Sequence, residues 1–156
     1  MEIRIATTND YPTLSQLDRH ISAEMLSRKI DQHETIVAVE GNSVIGWLRY
    51  GNFWDSLPFM NMLTVIESRR GQGVGTPLAK SWESLLRDRG FSEVLTSTLA
   101  REGSQFLYRK LGYQDCGALL FPNEALEIIM RKVIKWDSPV SSTRRRRGWL
   151  LSSIVK

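Results

Sequence analysis

Arg70-Gly71-Gln72-Gly73-Val74-Gly75 lies between an apolar run and an amphipathic one, and its reading decides the fold. Three glycines at alternate positions let a backbone turn tightly and approach a ligand with no Cβ in the way. The amide N–H groups of such a bend point outward where a helix begins, and a helix N-terminus attracts anions. Arg70 adds a fixed positive charge beside the turn. A pyrophosphate-bearing molecule needs this combination, whereas an ordinary turn needs only part of it.

The flanks support a strand–bend–helix unit. Phe59-Met60-Asn61-Met62-Leu63-Thr64-Val65-Ile66 is an apolar, partly β-branched run that reads as a buried strand. After the bend, Leu78, Trp82, Leu85 and Leu86 fall at i, i+4, i+7 and i+8, one stripe of a helix. Pro77 suits the first turn of that helix and Gly90 its left-handed exit.

Three phosphate-binding loops compete for the bend. A Walker A loop requires Lys directly after its last glycine, but Thr76-Pro77 follows Gly75. A dinucleotide fingerprint starting at Gly71 needs a third glycine where Thr76 stands. The third pattern, R-x-x-G-x-G/A, is met at every fixed position by Arg70 to Gly75. That pattern is the signature of the GCN5-related N-acetyltransferases (GNAT). About 35 residues further on, Phe106-Leu107-Tyr108-Arg109-Lys110-Leu111-Gly112-Tyr113 resembles the second signature of the same family. Between the two, Phe91 to Leu99 reads as a strand. The resemblance covers residues 1 to 135 or so.

The resemblance implies the acyl-coenzyme A N-acyltransferase fold, a mixed α+β architecture. Its central mixed sheet has six to seven strands and helices on both faces, and the strands flanking the bend's helix splay apart. It implies an acetyl-coenzyme A-dependent transfer of acetyl to a primary amine of a small molecule or peptide. Main-chain groups of Leu63, Thr64 and Val65 would meet the pantetheine arm, with the Leu63 amide at the reacting carbonyl. Arg70, Gly71, Gln72, Gly73, Val74, Gly75 and Thr76 would hold the pyrophosphate. Tyr108 would contact the cofactor and serve as general acid: a phenol with a pKa of about 10 is protonated at neutral pH and can pass its proton to a departing thiolate. Arg101 stands where many members carry Asn and is expected to meet a phosphate instead.

The general base is open. An alkylamine with a pKa near 10.4 must lose a proton before it attacks. Phe59 occupies the position where some relatives place Glu, which leaves Asp55, Glu67, an ordered water or an already neutral amine. For the acceptor, the aromatic group around Trp47, Tyr50, Trp54 and neighbouring Asp55 is the candidate surface. The same rings are read first as core. His20 and His33 lack metal-ligand spacing, so no metal is expected.

Composition bounds the rest. The chain of 156 residues is expected to be one domain, residues 1–136, followed by a basic tail, 137–156, that is either disordered or docked. Residues 1–136 hold 16 basic and 16 acidic side chains, so the net charge of +4 comes from the tail and its Arg144-Arg145-Arg146-Arg147 run. A nucleic-acid role would rest on that run alone and is not favoured. A homodimer is left open. No apolar stretch reaches the roughly 20 residues that cross a bilayer. The single Cys116 is expected to be a buried small residue of a strand and fits a reducing cytoplasm. A non-catalytic acyl-coenzyme A sensor on the same fold is the alternative function.

Around the signatures, Glu2 to Ala6 reads as a first strand, and two short helices are expected to carry Leu14, Leu17 and Ile21, then Met25, Leu26 and Ile30. Ile36–Val39 and Val44–Tyr50 read as a hairpin, Gly51–Pro58 as an aromatic loop, and Tyr113–Gly117 and Leu126–Val133 as two closing strands.

Overall fold

The computed structural model describes residues 1–135. Strand β1 (Glu2–Ile5) leads through a short 3-10 turn into α1 (Tyr11–Leu17) and then α2 (Ala23–Asp31). The first connection is fixed by charge: both Arg4 Nη atoms donate to the Asp10 carboxylate at 2.7 and 2.8 Å, and the Thr7 N–H donates to the same group. α2 is capped by Ser22, whose Oγ accepts from the Met25 N–H at 3.2 Å. Strands β2 (Thr35–Glu40), β3 (Ser43–Phe53) and β4 (Leu57–Val65) form a meander. Then follow α3 (Gly75–Asp88), β5 (Glu93–Leu99), α4 (Ser104–Lys110), β6 (Gln114–Leu119) and β7 (Glu127–Val133).

The seven strands form one sheet in the order β1-β2-β3-β4-β5-β7-β6. Every neighbouring pair is antiparallel except β4 and β5, which are joined through α3 and run parallel. Side chains alternate across a strand, so the sheet buries two separate apolar layers. On one face, Leu78, Trp82 and Leu86 of α3 pack against Leu48, Tyr50, Met60, Val94, Ile128 and Met130, with Tyr108 of α4 in the same layer. On the other, Leu14 of α1 and Leu26 and Ile30 of α2 cover Val37, Val44 and Trp47. Both faces of the mixed sheet therefore carry helices, as the resemblance implies.

Three expectations need correction. Gly51–Pro58 is not a loop: β3 runs to Phe53 and β4 resumes at Leu57, with Phe53 opposite Leu57 and Asn52 opposite Pro58. Only Trp54-Asp55-Ser56 turns, and Trp54 and Asp55 both take positive φ, 51° and 60°, as a type I′ hairpin turn requires. Non-glycine residues rarely adopt that conformation, which is why the turn was not evident. Second, α1 stops at Leu17, so Ile21 lies beyond it. Third, Cys116 is exposed, because β6 is an edge strand with both faces open along its length. The tail at 137–156, with Arg144–Arg147, lies outside the described residues.

Candidate functional site

The site begins where the sheet comes apart. β4 and β5 are in register only at Phe59–Leu95 and Met60–Thr96. Just beyond, β4 bulges: Tyr50 of β3 faces Met60 and Arg49 faces Met62, leaving Asn61 as the extra residue. Past the bulge the ladder with β3 resumes, and its hydrogen-bonding direction can be read from its end. Ile66 N–H donates to the Ile45 carbonyl at 3.0 Å. Hydrogen-bonded and non-bonded pairs alternate along an antiparallel ladder. Thr64 therefore spends its main chain on Trp47, while Leu63 and Val65 turn theirs toward the gap beside β5. Arg70 Nε donates to the Val65 carbonyl from that side, at 3.2 Å.

The glycine bend closes one end of this gap. Gly71 and Gly73 take φ of 73° and 83°, the left-handed region that favours glycine. Both are exposed, and a Cβ built on either would meet nothing within 4 Å. The bend thus faces open space. Gln72 is braced, its Nε2 donating to the Ser68 carbonyl at 2.9 Å. No side chain caps α3, so the first amide donors of this 14-residue helix stay open beside the bend. Val65, Arg70, Gly73, Gly75, Thr76 and Leu107 line a groove of about 320 Å³ there. Exposed amides, a helix N-terminus and a guanidinium are the donors that a diphosphate requires.

One residue along α4 from Leu107, Tyr108 lines a second cavity of about 350 Å³ between the splayed strands. Tyr108 is 5% exposed. Gly112 (φ 92°) ends α4 and lets the chain turn back, so that Tyr113 N–H bonds the Tyr108 carbonyl at 3.0 Å and the two rings meet at 5.7 Å. Burial pushes the Tyr108 phenol above its usual pKa, and the Thr96 hydroxyl opposes this. The proton therefore stays on the phenol throughout the neutral range.

The cavity passes through the sheet. Val94 packs in the α3 layer, so Thr96 and Thr98 share Tyr108's face, while Ser97 and Leu99 face α1 and α2. On β7, Ile128 and Met130 belong to the α3 layer, which sends Glu127 to the opposite face, across from Leu99. His20 from the loop after α1 joins Ser97 and Glu127 in lining the cavity. Glu102 lies on Tyr108's side, within reach of the Thr98 and Ser104 hydroxyls at 3.4 and 3.3 Å. Nothing in the sequence marks Glu102 or Glu127 as site residues, and His20 stands out there only as a histidine without metal-ligand spacing. They come from three distant segments and carry no motif.

The acceptor candidates lie elsewhere. Trp47 is buried, donating its Nε1 to Asp18 at 2.9 Å within a buried Arg49–Asp18 ion pair. Burial pushes the Asp18 carboxyl up, but Arg49 and Trp47 more than reverse this and hold it below its usual value. Tyr50 packs on Trp82, and its hydroxyl bridges Arg89 and the His33 carbonyl. Trp54 (71% exposed) and Asp55 form the distant hairpin turn. Glu67 sits in a 3-10 turn after β4, and Arg101 is exposed on the turn after β5. None of these six lines the cavity or the groove. Among the described residues, no three His, Cys, Asp or Glu side chains cluster as a metal site.

Comparison with known proteins agrees with this geometry. Residues 3–113 match the acetyltransferase (GNAT) family. An uncharacterized N-acetyltransferase of Chlorobaculum tepidum is 25% identical over 129 residues, 78% of this chain and 81% of its own. An aminoglycoside 6'-acetyltransferase type Ii superposes with a TM-score of 0.73 at 26% identity, covering 86% of this chain and 97% of that one. An aminoglycoside 6'-N-acetyltransferase, solved with coenzyme A, does so with a TM-score of 0.69 at 21% identity, covering 86% and 97%. The chain belongs to the GNAT acetyltransferase family.

Proposed function

We propose that this protein is an acetyl-coenzyme A-dependent N-acetyltransferase whose acceptor, a primary amine of a small molecule or peptide, attacks directly in a ternary complex. One observation carries the reading: an open glycine groove and a through-sheet cavity, joined by Leu107 and Tyr108, which are adjacent on α4. Acetyl-coenzyme A supplies an activated acetyl thioester. Main-chain donors from Gly71 to Thr76, with Arg70, hold its diphosphate. Leu63 and the Val65 N–H offer strand groups to its amide arm, the Val65 carbonyl being taken by Arg70, and the Leu63 N–H is the donor for the developing oxyanion. Tyr108 holds a proton for the leaving sulfur. Asp55 and Glu67, too remote from the cavity, drop out as proton acceptors. Among the described residues no helix is long and apolar enough to cross a membrane, and the reading assigns the enzyme to the reducing cytoplasm.

Calorimetric titration with acetyl-coenzyme A, followed by thiol release with a panel of amines, tests this. Binding with turnover on at least one amine is expected. No binding at millimolar acetyl-coenzyme A overturns the reading. Binding without turnover on any amine would favour a sensor on the same fold.

A further inference from the structure

The two faces of the through-sheet cavity differ in chemistry, and the difference concerns what approaches from the side opposite Tyr108. On Tyr108's face, Glu102 is engaged with the Thr98 and Ser104 hydroxyls. On the opposite face, the Ser97 hydroxyl donates to Glu127. That bond orients one carboxylate oxygen and leaves the other oxygen's lone pairs free of the serine. Glu127 and Ser97 both line the cavity, and both descend from strands whose alternation fixes them on the α1/α2 side. Met62 and His20 complete that wall, and among the described residues no lysine or arginine lines the cavity. The adjoining cavity, which shares His20, Asn61 and Met62, holds Lys29 and Arg49, but these are paired with Glu34 and Asp18. A partly buried carboxylate with no ion-pair partner among the described residues attracts a cation.

We infer that Glu127, oriented by Ser97, binds the ammonium group of the acceptor on the face of the sheet opposite Tyr108, and so restricts this protein to cationic amines. The inference rests on the acetyltransferase reading, because it takes the two faces of the cavity to receive two different substrates. It gives Glu127 a binding role: the carboxylate holds the acceptor before proton loss and leaves the cofactor groove untouched.

The test uses the full chain saturated with coenzyme A, titrated calorimetrically with kanamycin, spermidine and alaninamide. At least one of the three should bind the parent. Glu127→Gln should weaken that binding at least tenfold, Glu127→Asp by an intermediate factor, and Ser97→Ala about threefold. Coenzyme A should bind all four proteins within twofold of one another, which shows that they are folded. Added salt should weaken the parent's amine binding more than that of Glu127→Gln. If none of the three amines binds the parent, or if Glu127→Gln binds them as the parent does, the inference is wrong. It is equally wrong if Glu127→Gln loses coenzyme A affinity, since the residue would then be structural. Failure of the parent itself to bind coenzyme A is a different result, and it removes the acetyltransferase reading first.

Discussion

The two faces of the sheet are held by different forces. Below α3, Leu78, Trp82, Leu86, Met60 and Met130 pack in a continuous apolar layer. Burying each such side chain contributes on the order of 1.5–3 kcal/mol. One ion pair, Lys132 with Glu83, ties β7 to α3 there. Under α1 and α2 the apolar layer is smaller and three pairs anchor it: Arg4 with Asp10, Arg49 with Asp18, and Lys29 with Glu34. On the proposed reading, the packed face offers mainly main-chain groups to the cofactor, and the charge-anchored face offers side chains to the acceptor. A main-chain site tolerates sequence change so long as the backbone path is kept, and suits a partner that never varies. A side-chain wall can be altered one residue at a time.

The sharpest attack on this contrast is Asp18→Ala. It would strand the buried Arg49 guanidinium and leave Trp47 Nε1 without its acceptor. Breaking a buried pair from one side costs about 3–5 kcal/mol, and urea unfolding should show a loss of that size. A loss below about 1 kcal/mol would mean that the α1/α2 face is held by packing after all.

Next comes Tyr108→Phe, which keeps the ring and removes the proton. General acid catalysis contributes about 100-fold or more, so kcat should fall by about that factor while coenzyme A affinity stays within threefold. Between neutral pH and about 10 the parent should show no fall in rate from loss of the Tyr108 proton, because burial has raised the phenol's pKa. An unchanged kcat would leave Tyr108 with a packing role only.

Acid should separate the faces. The Arg4 hydrogen bonds depress Asp10 to about 2, with the Thr7 N–H and hydroxyl assisting. A depressed carboxyl contributes stability in full above its unfolded value of about 3.9 and loses it as pH falls toward the folded value. Asp10→Asn should therefore cost about 2 kcal/mol at pH 7, and almost nothing near pH 2. Equal destabilisation at both values would remove the electrostatic explanation.

The smallest effect is expected at the bend. Gly73→Glu places a like charge beside the diphosphate and forces a side chain into φ 83°. Coenzyme A binding should weaken about tenfold, or ~1.4 kcal/mol, with amine specificity unaltered. Affinity equal to the parent's, in a folded variant, would detach the bend from the cofactor.

The same division explains what could be read from residues alone. The bend, α3, α4 and β4 are contiguous segments whose glycine spacing and periodicity announce them. Of the candidate site, the bend at Arg70–Thr76 follows from its glycine spacing, whereas Leu63 and Tyr108 enter only through the resemblance to the family's two signatures. The opposite wall joins His20, Met62, Ser97 and Glu127 from four separated elements. Each is an ordinary residue in an ordinary place, and only the strand register brings them together. Trp47 and Tyr50 take the core reading, for a related reason. Trp47 and Tyr50 are large and amphipathic, and their polar tips are spent on Asp18, His33 and Arg89 inside the molecule.

The parallel seam at Phe59–Leu95 and Met60–Thr96 has a mechanical consequence. With so few rungs between them, the four-stranded half and the three-stranded half are two leaves joined by one short seam and by α3, which packs on both. A molecule threading the seam would act as a missing rung and lock the leaves. Amide deuterium uptake at Leu63 and Val65 should then slow when the donor binds, and the melting temperature should climb with donor concentration.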